Sequence, residues 1–306
     1  MATNESVLAI CVNWNGRDVL RETLESLQKS DYPSLEILVV DNASTDASLE
    51  TIPDSVSVLK LEENRGYAGA VNAGMQLVLP SLARARAEKP ALPLPTYFFI
   101  LNYDIIVEPT LVSSLVEIAR SRGPGVYGPK VLRHRDSKRL DAAWGYINWS
   151  HVLTRYYGKG ERDSARWSAT KRVDLLLGCA LLIHWRVVEE VGLFDETFFM
   201  YHEEADFLYR ASSKGFPIYY CGLDYALHRG AYATRDQPEQ KLFWVRRNAV
   251  YFLRKHRPVL MKWAFFLATL SLSLIYNLLA LRWKRVQVIA RGVRAGLRLE
   301  PRNSRI

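Results

Sequence analysis

Only three cysteines, Cys11, Cys179 and Cys221, are spread through the 306 residues, and no two form a CxxC pair. A disulfide scaffold is thereby excluded, and a reducing cytosol is the expected setting. Internal repeats and low-complexity tracts are missing as well, so neither a solenoid nor an extended linker is expected. No basic segment precedes the short apolar run Val7–Val12, and export through a signal peptide is not expected. Acid is scarce at the C-terminus. From Arg246 to Ile306 there are 14 Lys and Arg against a single acid, Glu300, so this stretch carries +13. The remainder, with 27 basic and 31 acidic residues, carries −4.

What remains is an ordinary globular composition, 49% hydrophobic and 24% charged, which excludes a disordered chain. Val7–Val12, Leu35–Val40, Val56–Leu61 and Tyr97–Leu101 read as short buried strands. Helical patterns lie between them: Asp18–Gln28 places Val19, Leu20, Leu24 and Leu27 on one face, and a second helix is expected near Ala68–Leu79. Alternation of this kind predicts an α/β fold around a mostly parallel, Rossmann-like sheet flanked by helices. Ligands in such sheets bind outside the carboxyl ends of the strands. Pro80–Pro95 is expected to be a surface loop or short helix, and the polar, basic stretch Ser150–Arg172 a mobile loop over one edge of the site.

Polar motifs fall at those strand ends. Asp41, in Asp41-Asn42-Ala43-Ser44-Thr45-Asp46, follows a strand and can accept from a base N–H or a ribose hydroxyl, although turn and cap roles explain the same residues. In Asn64-Arg65-Gly66-Tyr67-Ala68-Gly69-Ala70-Val71-Asn72-Ala73-Gly74 the glycines permit close backbone approach and Arg65 can pair with a phosphate. Simple helix packing would also use these glycines. Asn102-Tyr103-Asp104 can aim two oxygen ligands at a hard cation. Gly192–Arg210 leads from aromatic residues into Glu203, Glu204 and Asp206, with Asp206 and Arg210 spaced as an i, i+4 ion pair.

Taken in order, Val12-Asn13-Trp14-Asn15, the Asp41 loop, Asn64–Gly74, Asn102-Tyr103-Asp104 and Gly192–Arg210 resemble the inverting nucleotide-sugar glycosyltransferases of family 2, in their rhamnosyltransferase-like branch. The resemblance runs from about Val7 to Gly230 and implies a GT-A fold. It implies that Asn13, Trp14, Asp41, Arg65, Gly66, Asn72 and Asn102 bind a nucleotide-diphosphate sugar, with Asp41 on the nucleoside and Trp14 beside the base. Asn102-Tyr103-Asp104 matches the metal-binding DxD element, so that Asp104, with Asn102 and His228, would hold Mg²⁺ or Mn²⁺. Glu204 matches the general base, and Glu203 would support it or bind the acceptor. Two departures stand out: Asn102 lowers the charge of the metal motif, and Glu204 replaces a commoner, shorter Asp. The implied donor is dTDP-L-rhamnose, and the implied acceptor a glycan, lipid-linked, in cell-surface polysaccharide synthesis. A sugar-phosphate nucleotidyltransferase would need an N-terminal Gly-rich loop with Arg and Lys, which Val12–Gly16 lacks. A non-catalytic glycan-binding scaffold of the same fold stays open.

The chain divides on this reading into a catalytic domain, residues 1–245, and a basic, apolar C-terminal helical extension, residues 246–306. Trp263–Leu281 is nineteen residues without charge, long enough for a transmembrane candidate, yet both flanks are basic. Val286, Ile289, Val293 and Leu297 form a stripe opposite Lys284, Arg291, Arg294 and Arg298, the pattern of an interfacial helix on anionic lipid. A monotopic or peripheral enzyme on the cytoplasmic side of the membrane is expected. Nucleic acid is not an expected partner, because no reading motif accompanies the charge.

Overall fold

The structure is a computed structural model that describes residues 5–17, 19–79, 95–149, 153–230, 237–256 and 260–301. The Pro80–Pro95 expectation falls almost wholly outside them.

Four strands build the parallel half of the main sheet: β1 (Val7–Asn13), β2 (Leu35–Asp41), β3 (Ser57–Lys60) and β4 (Tyr97–Asn102), in the spatial order β4-β1-β2-β3. Each expected strand is present within a residue or so of its predicted bounds. Because side chains alternate across a strand, Leu8, Ile10 and Val12 enter one core with Phe98 and Ile100. Val7, Ala9 and Cys11 enter the opposite core with Tyr97, Phe99 and Leu101. Both faces are therefore covered, as continuous apolar runs require. Helices α1 (Leu20–Gln28) and α2 (Gly66–Gln76) match the two helical patterns, and α3 (Leu111–Arg122) buries Leu111, Leu115 and Ala119 against the second core.

The other half is mixed. Strands β5 (Ile105–Val107), β6 (Val126–Arg133) and β7 (Asp136–Ala142) are followed by β8 (Trp144–Asn148) and β9 (Leu153–Tyr156). After these come β10 (Thr170–Arg172), β11 (Leu175–Leu176), β12 (Ala180–His184) and β13 (Ile218–His228). Strand β12 runs antiparallel to both β4 and β6, and β13 lies parallel to β6. A small antiparallel sheet, β11-β8-β9, sits apart. The stretch expected to be a mobile loop, Ser150–Arg172, instead contributes β9 and β10 and buries Trp167 beside Trp144 and Tyr220. Its polar composition hid one large aromatic anchor.

Helices α4 (Trp185–Val191) and α5 (Glu203–Ser213) precede three C-terminal helices, α6 (Pro238–His256), α7 (Leu260–Leu279) and α8 (Trp283–Arg298). The boundary read between residues 245 and 246 falls inside α6, whose residues Asn248–Leu253 are all buried. Charge fixes α6 to the body. Lys255 Nζ lies 2.7 Å from Asp195 Oδ2 and 2.8 Å from Asp206 Oδ1, with its side chain 5% exposed. His256 Nε2 donates to Asp206 Oδ1 at 2.9 Å, and Tyr251 Oη donates to Asp195 Oδ2 at 2.8 Å. The expected Asp206–Arg210 pair is present at 2.8 Å, and Arg210 also donates to the Val191 and Leu193 carbonyls. Burial alone would raise the Asp206 pKa, but the His256 hydrogen bond and the Arg210 and Lys255 charges hold it well below the usual carboxylate range.

The α8 stripe also has a use other than the one its pattern suggests. Val288, Ile289, Gly292 and Gly296 turn inward, and a Cβ on Gly296 would lie 2.4 Å from the Arg247 carbonyl oxygen on α6. The inward face is thus spent on protein, and Leu297 is left outside. Among the described residues no helix is long and apolar enough to cross a membrane.

Breaking a buried ion network by removing one partner costs about 3–5 kcal/mol. Lys255→Met is expected to lose stability of that order in urea denaturation; a loss under about 1 kcal/mol would show that the network does not hold α6. Because Asp206 titrates low when folded, its contribution is complete above about pH 4 and fades as the pH falls. Asp206→Asn should flatten the acid limb of stability.

Candidate active site

The carboxyl ends of β1, β2 and β4 bring the first group of residues together. Asn13 pairs with Asp41 in register, and its Nδ2 donates to Asp41 Oδ1 at 2.8 Å, Ser44 Oγ at 3.1 Å and Ser48 Oγ at 2.9 Å. Asp41 Oδ2 accepts from the Ser44 amide at 3.2 Å. Asp46 caps the following short helix through Ser48 N, as its sequence position suggested. Asp41 is therefore first a framework residue, 3% exposed, although each oxygen of a carboxylate can accept a second bond. Trp14, the residue after Asn13, is partly exposed.

The Asn64–Gly74 segment faces residues 194–199. Arg65 Nη2 reaches both Glu196 oxygens, at 2.9 and 3.0 Å. Asn72 Nδ2 donates to the Phe194 carbonyl and to Glu196, and its Oδ1 accepts from Phe194 N. Gly66, at φ +71°, leaves room for Phe199: a Cβ would lie 2.3 Å from the Phe199 carbonyl oxygen, which accepts from Tyr67 N at 2.7 Å. The close approach that Gly66 permits is to protein backbone, while Gly74 packs on the Ile10 and Val40 side chains. Arg65 would have to leave Glu196 to reach a phosphate.

Asp104 and His228 meet where β5 pairs with the end of β13. His228 Nε2 lies 3.5 Å from Asp104 Oδ2 and has no hydrogen-bond partner, although it is buried. On the other side His228 Nδ1 donates to Asp141 Oδ2 at 2.7 Å. Burial works against a charged imidazole, but the neighbouring Asp104 and Asp141 carboxylates push its pKa up to about 9. Two carboxylates around one ring thus call for a cation. With Nδ1–H held by Asp141, Nε2 would offer its lone pair to a metal once its own proton leaves, the carboxylate–histidine arrangement. Asp104 Oδ2 and His228 Nε2, 3.5 Å apart, are the pair that would hold Mg²⁺ or Mn²⁺. Among the described residues no group of three or more His, Cys, Asp or Glu converges on a metal position. Asn102 is partly exposed at the end of β4.

Glu203 and Glu204 open α5 on different faces. Glu203 is buried, with Oε2 lacking a partner. Glu204 keeps some exposure, and Tyr156 Oη donates to its Oε1 at 3.3 Å. Burial raises both carboxyls above their usual range, Glu203 well above it with the Glu204 charge adding to the shift. The turn before β12 links this pair to the strand ends: the Cys179 carbonyl accepts from Asn102 N at 3.1 Å. A Cβ on neighbouring Gly178 would lie 2.9 Å from Glu204 Cβ.

The approach to α5 is strained. Phe199, Tyr201 and His202 all have left-handed backbone, at φ +63°, +69° and +72°, a conformation that costs about 1–3 kcal/mol for each non-glycine residue. Helix α6 holds it. Asn248 Nδ2 donates to the carbonyls of Phe198, Met200 and Tyr201 at 2.7–2.9 Å. Arg247 Nη2 donates to Phe198 and Thr197, and Trp244 stacks on Phe199 with ring centroids 4.8 Å apart. Sequence reasoning missed Asp141, Tyr156, Gly178 and Asn248. None carries a local motif, and each acts on a residue at least 26 positions away.

The comparisons with known proteins fit this geometry. The profile of glycosyl transferase family 2 matches residues 6–172, more than half of the chain. The chain belongs to glycosyltransferase family 2. It is 26% identical over 208 residues to the low-salt glycan biosynthesis hexosyltransferase Agl10 of Haloferax volcanii, covering 68% of this chain and 63% of that relative's length. It is also 26% identical over 260 residues to the N-acetylglucosaminyl-diphospho-decaprenol L-rhamnosyltransferase of Mycobacterium tuberculosis, covering 80% of this chain and 82% of that one. Among solved structures, GalNAc-T7 with UDP, GalNAc and Mn²⁺ superposes with a TM-score of 0.58 at 17% identity, over 84% of this chain and 51% of that one. The mannosyltransferase PcManGT of Pyrobaculum calidifontis, with GDP-Man and Mn²⁺, gives 0.53 at 16% identity, over 95% and 87%. The fold is GT-A.

Asn248→Ala removes a donor from three carbonyls, of which Phe198 keeps Arg247 while Met200 and Tyr201 lose theirs. Expected is a stability loss of about 3 kcal/mol, at about 1–3 kcal/mol per unsatisfied group with partial relaxation. Turnover should fall more than substrate affinity, and a variant with unchanged turnover would show that the strained approach does not depend on α6.

Proposed function

We propose that this glycosyltransferase is a metal-dependent, inverting enzyme that moves a sugar from a nucleotide diphosphate to a lipid-linked glycan acceptor in cell-surface polysaccharide synthesis. It works at the cytoplasmic face of the membrane, to which its C-terminal tail attaches. The favoured donor is dTDP-L-rhamnose, a choice supported by the rhamnosyltransferase among its relatives. The observation that carries the reading is the turn at Gly178–Cys179, which touches Asn102 of the metal motif on one side and Glu204 on the other. That shared turn supports reading a cation site and a base held side by side.

Asp104 and His228 would hold the cation, with Asn102 at the edge. When bound, it offsets the charge that develops on the departing diphosphate. Asp141 keeps the His228 Nδ1 proton in place. Asn13, Trp14 and Asp41 form the nucleoside end. Glu204, the more accessible glutamate, takes the proton of the acceptor hydroxyl as its oxygen attacks the anomeric carbon. The new carbon–oxygen bond forms on the face opposite the breaking bond to phosphate, so one base gives inversion. Glu203, kept neutral by burial, supports Glu204 and orients the acceptor. Tyr156 holds the Glu204 carboxylate.

Glu204→Gln should lower kcat by about 10²–10⁴-fold, the usual contribution of a positioned base, with nucleotide binding retained; unchanged turnover would overturn the assignment. Since burial raises the Glu204 pKa, the acid limb of kcat should lie above the ordinary carboxylate range, rate rising with pH as the proton leaves. Thermal shifts with dTDP-, UDP- and GDP-sugars, with and without Mn²⁺, test the donor. A metal-dependent shift with dTDP-L-rhamnose is expected. A shift with another class alone would replace that donor.

A further inference from the structure

Helix α7 buries only a narrow stripe, Phe266, Leu270 and Asn277, with Trp263 and Leu274 partly covered. Most of its described outward side chains are apolar: Phe265, Leu272, Ile275 and Leu279 are each more than half exposed. The patch continues beyond the helix through Leu281 and Trp283, also more than half exposed. Exposed apolar surface this continuous marks an interaction site.

A second observation is independent of exposure. Leu281, at the turn between α7 and α8, has φ +53°. That left-handed position favours glycine or asparagine. A leucine here carries both a backbone penalty and a side chain that is 74% exposed. A residue that breaks a local rule without a structural gain points to function.

Charge identifies the partner. Arg282, Lys284 and Arg285 are exposed beside the patch, and Arg291, Arg294 and Arg298 along α8. No acid occurs between Arg246 and Leu299. Arg282 lies over the Tyr276 ring, 5.5 Å from its centroid. Apolar side chains bordered by aromatic rings and cations match the layering of an anionic lipid leaflet.

The arrangement also relates this face to the active site. Gly292 packs at Phe243 and Arg246, and Gly296 at Arg247 and Val250, so α8 advances in step with α6, parallel to it. The start of α8, at Trp283, therefore lies level with the start of α6. At that end Lys241 sits over the ring of Tyr201, 5.4 Å from its centroid and two residues before Glu203.

We propose that the outer face of α7, continued by Leu281 and Trp283, docks on an anionic bilayer surface, with Arg282, Lys284 and Arg285 at headgroup level. The end of the docked face nearest the α6 N-terminus is then the end from which a membrane-borne acceptor reaches the base. This rests on the membrane-associated reading above and replaces the α8 stripe with α7 as the inserting element.

The test is flotation of the full chain with vesicles of phosphatidylcholine alone and with about one-third phosphatidylglycerol. Binding to the anionic vesicles, weakened by salt, is expected. Leu281→Asn should weaken it about tenfold while melting no lower than the unmodified chain, since asparagine suits the backbone; a purely structural leucine would give the opposite pattern. Ile275→Glu with Leu279→Glu should abolish flotation and leave nucleotide-sugar binding intact. Unmodified protein that ignores anionic vesicles, or variants that float as well as it does, would overturn the proposal. So would a dimer by light scattering that Leu279→Glu disperses without any vesicle binding. A chain that floats as expected but binds no nucleotide sugar would sink the enzymatic reading and spare the docking face.

Discussion

Lys255 is the point on which the candidate site depends. Its ammonium lies between Asp195 and Asp206, two carboxylates on either side of the strained stretch Phe199–His202. Without that cation the two acids would face one another in a buried setting, and the turn they bracket would lose its reason to stay compact. Tyr251 and His256, from the same helix, complete the set. Left-handed backbone at three non-glycine residues persists only when the surroundings over-determine it. Here the surroundings are α6, through Asn248 on three carbonyls and the buried ion network on either side.

This changes the meaning of the C-terminal region. A helix that supplies Asn248, Tyr251, Lys255 and His256 to the turn before Glu203 is part of the folded body, whatever its downstream neighbours do. Helix α8 is laid along it with glycines at the contact, so that helix axes approach closely. Among the three described C-terminal helices, α7 carries the broadest apolar face turned outward. Division of labour follows from which faces are already spent.

The parallel half of the fold was legible because local pattern and final burial agree. Val7–Val12 and Tyr97–Leu101 are continuous apolar runs, and both became strands covered on two faces. The polar residues at their ends, Asn13, Asp41 and Asn102, were legible for the same reason: strand ends in a parallel sheet have a fixed meaning. Asn64–Gly74 was legible as a motif but open in its use. Small residues admit whatever approaches, and here it is the Phe199 backbone. Asp141 and Asn248 left no local trace, since an aspartate in an edge strand and an asparagine in a basic helix acquire roles only from partners 87 and about 50 residues away. Ser150–Arg172 was misjudged because polarity averaged over the stretch outweighed Trp167, and one buried indole suffices to anchor a segment.

The tail's charge repays the same residue-by-residue treatment. Taken as a sum, +13 describes a uniform basic arm. Among the described residues, two groups of its cations stand apart. Arg247, Arg254 and Lys255 turn toward carbonyls and carboxylates and serve the packing of the protein. Arg282, Lys284, Arg285, Arg291, Arg294 and Arg298 face outward, on and beside the element whose apolar side chains are exposed. Fields at a surface are set by the second population alone, because charges neutralised or hydrogen-bonded inside contribute little beyond their own pairs. A basic sequence and a basic surface are therefore different quantities. In this chain it is the second that coincides with α7, and the coincidence of outward cations with outward apolar side chains, rather than net charge, is what a lipid surface would recognise.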